Sequence, residues 1–231
     1  MVYPFFDPSC IPKPQERFVA WLDLMGTQNL MTRSLKVVSS AIFKLHVSVL
    51  DAIKHNSSQG IHTFPVMDGV YITTSSADQM KHLLIHVLKG LCSVFEKDEN
   101  SPEYQFLVRA SVAKGLLYHG EDLQQGAARR LDEAPHYKAS ILIGLPVVNA
   151  YLTEKFAPPF GVAIHETAEA DFGLSRGETR WLWFGDSDFD ANGFYLKLQS
   201  YFAWCRSNGK GYNEERIIVH NTLARAYFAN N

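Results

Sequence analysis

Two short apolar runs, FVAWLDLMGT over residues 18–27 and FPVMDGVYI over residues 64–72, each carry an aspartate where the run gives way to turn residues. Apolar runs of this length bounded by turn signals read as buried strands, and Asp-Gly between apolar flanks is a tight-hairpin dipeptide. Asp23 therefore ends one strand and Asp68 occupies the turn between two others. If the first strand lies beside the second of that hairpin, both carboxylates meet at one edge of one sheet. That single adjacency governs how everything between them must fold.

The intervening patterns supply the connections. From Gln28 onward Met31, Leu35, Val38, Ile42, Leu45, Val49 and Ile53 recur every three or four residues, which predicts one long amphipathic helix ending at Asn56–Gly60. A second helix is expected with Met80, Leu84, Val87, Leu91 and Val94 on its apolar face. Tyr104 to Val112 then reads as a strand, bent at Gly115 and continued to Tyr118. Strand, helix, hairpin, helix, strand is the ferredoxin-like βαββαβ order, in which the first and third strands are central neighbours.

The remainder is less patterned. Residues 1–16, with Pro4, Pro8, Pro12 and Pro14, read as an irregular arm, and residues 17–231 as one α/β (α+β) domain. Residues 119–140 form a polar excursion carrying Arg129, Arg130, His136 and Lys138. Pro146 suits the first turn of a helix reaching about Lys155. Gly161–His165 and Arg180–Phe184 are strand candidates, and helices at about 189–206 and 213–228 form a C-terminal extension.

Composition limits the class of partner. The 231 residues are 46% hydrophobic and 13% aromatic, enough for a well-buried core. A formal net charge of -2 gives no general attraction to nucleic acid or anionic membrane, so a small molecule or a second copy of the chain is the expected partner. Cys10, Cys92 and Cys205 are scattered, without a CxxC or Cys/His cluster, and read as reduced thiols. No stretch approaches the roughly 18 apolar residues of a membrane span, so the chain reads as soluble and cytoplasmic.

Two carboxylates at strand ends suit hard divalent cations. Mg²⁺ or Mn²⁺ takes oxygen ligands, commonly one or two carboxylates with the phosphates of a substrate. A two-metal site holds its ions about 4 Å apart, one favouring an attacking oxygen and the other a departing one. The turn Leu24-Met25-Gly26-Thr27 offers amides and a helix start to phosphate oxygens, with Gly26 permitting close backbone approach. There is no Walker A sequence. Taken singly, Asp23 also suits a helix cap and Asp68 a simple turn former.

The segments FVAWLDLMGT, VMDGVYI and VRASVAKGLLYHG resemble the corresponding parts of class III nucleotidyl cyclases. The likeness is greatest to the small pyrimidine cyclases of bacterial antiphage signalling, which make cyclic UMP or cyclic CMP, and it covers about residues 17–165. The resemblance implies a homodimer with composite sites, two Mg²⁺ or Mn²⁺ ions at Asp23 and Asp68, and a carbonyl ligand at Leu24. The reaction it implies is attack of a ribose 3′-hydroxyl on its own α-phosphorus with loss of pyrophosphate, from UTP or CTP, with UTP favoured.

Two departures from the family pattern matter. Purine cyclases usually place a lysine four residues before the hairpin aspartate, where this chain has Phe64, a ring that stacks on a base without reading its edge. Phe64 also suits an ordinary core position. In the segment around Gly144 and Ala150, Val148 and Leu152 stand where an asparagine and an arginine are expected. Arg130 and Lys114 are the substitutes favoured for meeting phosphate charge, with solvated surface charge as the ordinary alternative for each. A purine cyclase and a catalytically silent nucleotide-binding or dimerisation module are the competing functions.

Overall fold

The computed structural model describes residues 6–32, 34–56, 59–185, 188–209 and 214–229. Strand β1 (Gln15–Met25) runs through the middle of the sheet. A short helix α1 (Thr27–Met31) follows, then α2 (Leu35–His55), the hairpin strands β2 (His62–Val66) and β3 (Gly69–Thr74), helix α3 (Ala77–Lys97) and strand β4 (Leu107–His119). The strand order β2-β3-β1-β4 is the ferredoxin-like arrangement, with β1 antiparallel to both neighbours. Asp23 lies directly opposite Gly69 on one side and Arg109 on the other.

Burial on both faces explains why β1 reads as a continuous apolar run instead of an alternating one. Ala20, Leu22 and Leu24 join the main core, which α2 and α3 cover with Leu45, Val49, Leu84, Val87 and Leu91. Val19 and Trp21 point the other way, into a small cluster with Ala113, Leu117 and Ala150. Ala150 belongs to α6 (Leu145–Thr153), so this helix covers the opposite face.

Several elements depart from the sequence pattern. The long helix expected from Gln28 is two, because Ser34 adopts an extended backbone and its side chain accepts the Val37 N–H at 3.3 Å, an N-cap that starts α2 anew. The apolar stripe continues across the break and so conceals it. Strand β4 keeps its pairing with β1 unbroken through Gly115, which pairs with Arg17 while α6 passes over it, Pro146 Cδ lying 3.4 Å from where a Cβ would stand. The polar excursion holds two short helices, α4 (Arg129–Asp132) and α5 (Pro135–Ala139), and strand β5 (Leu142–Gly144), which follows it, pairs with β4.

The sheet continues beyond β4 with β6 (Val162–Ile164), parallel to it, and β7 (Arg180–Trp181). The strand expected over Arg180–Phe184 stops at Trp181, because Trp183 turns inward and donates its indole N–H to the Phe160 carbonyl at 2.8 Å. Helices α7 (Ala191–Asn208) and α8 (Glu214–Phe228) pack Phe194, Leu198, Phe202, Ile217 and Phe228 into the main core. Of the expected N-terminal arm, residues 1–5 lie outside the described residues, as does the expected first residue of the last helix, Asn213. Asp7 N–H donates to the Ala127 carbonyl at 2.7 Å, tying the arm to the excursion.

Candidate active site

The site grows from the pairing of β1 with β3. Gly69 faces Asp23, and a Cβ there would stand 2.3 Å from the Trp21 ring and 2.6 Å from the Leu22 carbonyl. Only glycine lets the two strands close at this point, and its neighbour Asp68 is thereby brought to the end of β1. The hairpin turn places Met67 in the left-handed region at φ 53°, the residue 85% exposed, the sort of conformation that turns reserve for tight reversal. The Thr27 hydroxyl donates to Asp68 Oδ2 and so ties the hairpin to the β1 turn.

Gly26, at φ 79°, takes the chain out of β1 through a left-handed position that favours glycine. Leu24, Met25 and Thr27 beside it are buried. The turn leads into the five-residue α1 and not into a long helix, so the helix-dipole contribution expected for phosphate binding is confined to a single short turn. What the turn retains is its backbone amides and the room that Gly26 leaves.

Two carboxylates, Asp23 and Glu154, lie beside the Arg109 guanidinium, and Asp68 adds its charge to Asp23 from the hairpin. Glu154, immediately after α6 and 4% exposed, accepts the Trp21 indole N–H at 3.0 Å and forms an ion pair with Arg109. Burial pushes the Asp23 carboxyl up to about 8, reinforced by the negative charges of Glu154 and Asp68 and opposed by Arg109. Tyr71 responds to the same field, its phenol pushed up to about 12 by burial and by Tyr151, Glu154 and Asp23. Like charges crowded in this way create a site whose negative excess a cation relieves.

Among the described residues no group of three or more His, Cys, Asp or Glu side chains is arranged to hold a metal ion alone. The donors present fit a different type of site. Asp23 and Asp68 supply hard oxygens and the Leu24 carbonyl lies in the same turn, leaving further positions for phosphate and water, as Mg²⁺ commonly requires. A cavity of about 310 Å³ opens here, lined by Asp23, the turn residues Leu24 to Gln28, Arg109, Arg216 and His220.

The register sorts the other candidates. Phe64 pairs with Tyr71 and Tyr71 with Trp21, so Phe64 shares the sheet face of Asp23, one cross-strand row behind it. Its ring is 6% exposed and lies 5.4 Å from that of His119. Lys114 is five residues beyond Arg109 on β4, and odd spacing along a strand puts it on the opposite face. There it meets Glu16 at 3.3 Å and Asp171 at 3.2 Å and lies over the Phe18 ring, so the chain does not bring it to the Asp23 cavity. Arg130 is exposed on α4, and α4 packs with α5 near the His119 end of β4, roughly 33 Å along the strand from Arg109 at about 3.3 Å per residue. Within one chain it too stands apart.

Sequence reading missed Glu154, Arg216 and His220 and gave Arg109 no specific role. Counting the β1–β4 register would have found Arg109, and the four-residue spacing of Arg216 and His220 puts both on one side of α8. Nothing local marks Glu154, which acquires its role from the long-range contact of α6 with the sheet. Burial, with Arg109 and Arg216 nearby, lowers the His220 imidazole to about 4, so it is neutral at physiological pH.

No protein-family model matches the chain, and no curated protein matches it by sequence. Solved structures do match. The guanylate cyclase domain of RhGC from Catenaria anguillulae, in complex with GTP, aligns with a TM-score of 0.52 at 13% identity, covering 73% of this chain and 94% of that one. The non-canonical dimeric guanylyl cyclase domain of RhoGC from Blastocladiella emersonii aligns with a TM-score of 0.52 at 13% identity, covering 70% and 85%. An adenylate cyclase from Trypanosoma brucei, in its monomeric state, gives 0.50 at 14% identity, covering 73% and 81%. The chain thus has the mixed α/β fold of class III nucleotidyl cyclase domains.

Proposed function

We propose that the protein is a divalent-metal-dependent nucleotidyl cyclase that converts a pyrimidine nucleoside triphosphate, UTP in preference to CTP, to its 3′,5′-cyclic monophosphate and pyrophosphate. The observation that carries this reading is the meeting of Asp23 and Asp68 beside the Gly26 turn, within the fold of nucleotidyl cyclase domains. The structural neighbours are guanylyl and adenylyl cyclases, so the choice of base rests on this chain's own residues and on its resemblance to pyrimidine cyclases.

Asp23, Asp68 and the Leu24 carbonyl are the groups to hold Mg²⁺ or Mn²⁺, which when bound supplies charge to favour the attacking and departing oxygens. The chain's own part is largely positional. Gly26 admits phosphate oxygens to the backbone of the turn, and the Thr27 hydroxyl fixes the direction of the Asp68 carboxylate. The 3′-hydroxyl oxygen forms a bond to the α-phosphorus, the bond from that phosphorus to the bridging oxygen breaks, pyrophosphate leaves, and the hydroxyl proton passes to water. No protein nucleophile is needed, since such transfer relies on alignment and charge.

Phe64 supports the pyrimidine reading. It places an aromatic face, with Tyr71 and Trp21 in the same row, where a hydrogen-bonding lysine would read a purine. A homodimer is supported by exposed apolar side chains on α6 and in the turn after it, namely Leu145, Val148, Leu152 and Phe156. Arg130 and Lys114 enter this reading only through a partner copy. A second-messenger role in antiphage defence follows from the resemblance.

One observation favours the silent nucleotide-binding alternative: Val148 and Leu152 are exposed apolar residues at the positions where the family places polar transition-state groups. The test separates both readings. Purified protein is incubated with each of the four ribonucleoside triphosphates and Mn²⁺ or Mg²⁺, and products are resolved by mass. Cyclic UMP or cyclic CMP is the expected product; a purine product alone overturns the base assignment. Metal-dependent triphosphate binding without turnover establishes the silent module instead.

A further inference from the structure

The cavity beside Asp23 has two chemically different walls. One is acidic and belongs to the sheet: Asp23, with Asp68 and Glu154 behind it. The other is basic: Arg109 from β4 and Arg216 and His220 from α8. A second cavity of about 210 Å³ adjoins the same glycine turn and is lined by Gly26, Gln28, Asn29 and again Arg216. A simple anion is repelled by the acidic wall and a simple cation by the basic one. A polyphosphate carrying a divalent ion satisfies both.

Helix α8 is firmly placed for such a role. Ile217, next to Arg216, is 1% exposed, and Ala224, Tyr227 and Phe228 are fully buried further along the helix. The Tyr227 hydroxyl accepts the Val162 N–H at 3.3 Å and donates to the Trp181 carbonyl, fastening the helix to β6 and β7. Tyr195 of α7 donates its hydroxyl to Asn221 at 3.3 Å. Arg216 and His220 are thus held on a packed helix, although they are far from Asp23 in sequence. Arg109 is paired with the buried Glu154, and Arg216 lines both cavities around the glycine turn.

We infer that α8 completes the nucleotide site from within the same chain: Arg216, beside His220 and Arg109, grips the β and γ phosphates of the triphosphate and hence the departing pyrophosphate. This rests on the nucleoside-triphosphate reading above, and it supplies from the C-terminal helix a cation that α6 lacks. A guanidinium suits the task because its planar fork donates two parallel hydrogen bonds to phosphate oxygens. Neutral His220 adds one donor or acceptor without further charge.

The test uses the whole chain and inorganic tripolyphosphate with Mn²⁺, so that it does not depend on turnover. In calorimetric titration, Arg216→Ala and Arg216→Gln are expected to weaken binding about 10- to 100-fold and Arg216→Lys less, as losing a charge-assisted hydrogen bond does. Arg225→Gln, further along the exposed side of α8, is expected to bind as the wild type does. In the unaltered protein, tripolyphosphate is expected to protect Arg216 from phenylglyoxal modification, mapped by mass spectrometry. Unchanged affinity in folded Arg216 variants, or no protection at Arg216, overturns the inference, as does a wild type that binds no tripolyphosphate. If tripolyphosphate binding depends on Arg216 but no triphosphate is cyclised, the inference stands and the cyclase reading falls. If triphosphate is cyclised but tripolyphosphate binding is indifferent to Arg216, the cyclase reading stands and the inference falls.

Discussion

Strand β4 carries two cations five residues apart, Arg109 and Lys114, and they occupy opposite chemical worlds. Arg109 faces the buried acidic cluster of Asp23 and Glu154, where carboxylates outnumber it and one carboxyl is pushed far above its ordinary range. Lys114 faces the other way, its ammonium balanced by Glu16 and Asp171 near solvent, and those partners raise its own basicity. The first arrangement costs stability and the second is an ordinary solvated network. What marks a site is therefore an imbalance of charge held away from water, and the mere presence of a cation says little.

The largest expected contrast is in turnover. Asp68→Asn is expected to lower cyclase activity at least about 1,000-fold while leaving cooperative unfolding intact, since one ligating oxygen and its charge are lost at the exposed end of a turn. Asp171→Asn on the Lys114 side is expected to change activity less than about threefold. Equal losses in steady-state assays of both variants would abolish the distinction between the two faces.

Stability gives the next contrast. Glu154→Gln takes the negative charge from half-buried Arg109 while keeping an amide oxygen that can accept the Trp21 indole N–H, and is expected to cost about 3 kcal/mol in denaturant unfolding. Lys114→Ala, which opens a partly exposed pair, is expected to cost less than about 1 kcal/mol. A cost as small for Glu154→Gln would mean that the Glu154–Arg109 pair contributes no more than a solvated one.

The pH dependence sharpens the same point. Asp23 has its proton affinity raised on folding, so between the ordinary carboxylate range and about pH 8 the folded state binds more protons than the unfolded state, and stability falls as pH rises. His119 and His220, both lowered to about 4 by burial first of all, act in the opposite direction, but only below about pH 6.5 where the unfolded imidazole titrates. From pH 6.5 to 8 without added metal the melting temperature is therefore expected to decline. Asp23→Asn should flatten that decline, and Mn²⁺ should offset it. A slope that survives Asp23→Asn assigns it to another group.

Much of the fold was legible because its signals are local. The glycine turns, the hairpin dipeptide and the doubly buried run of β1 each announce themselves over a few residues, and together they force β1 beside β3. The break before α2 was hidden because an apolar stripe continues past a serine cap, and β7 was overdrawn because alternating tryptophans also suit a turn into the core. At the site, Asp23 and Asp68 could be paired from topology. The place of Lys114 could not be fixed without register, since one residue of offset reverses its face. Glu154 and Arg216 come from a helix end and a terminal helix, whose approach to the sheet leaves no short-range trace.

The indole of Trp21 ends at the Glu154 carboxylate and its ring lies 4.3 Å from that of Tyr71, whose phenol feels the charges of Glu154 and Asp23. The molecule therefore contains its own optical gauge: shifts in the charge of that wall alter the field across a buried fluorophore. Emission from the wild type, set against a Trp21→Phe variant, is expected to follow occupancy of the cleft in real time and without a label.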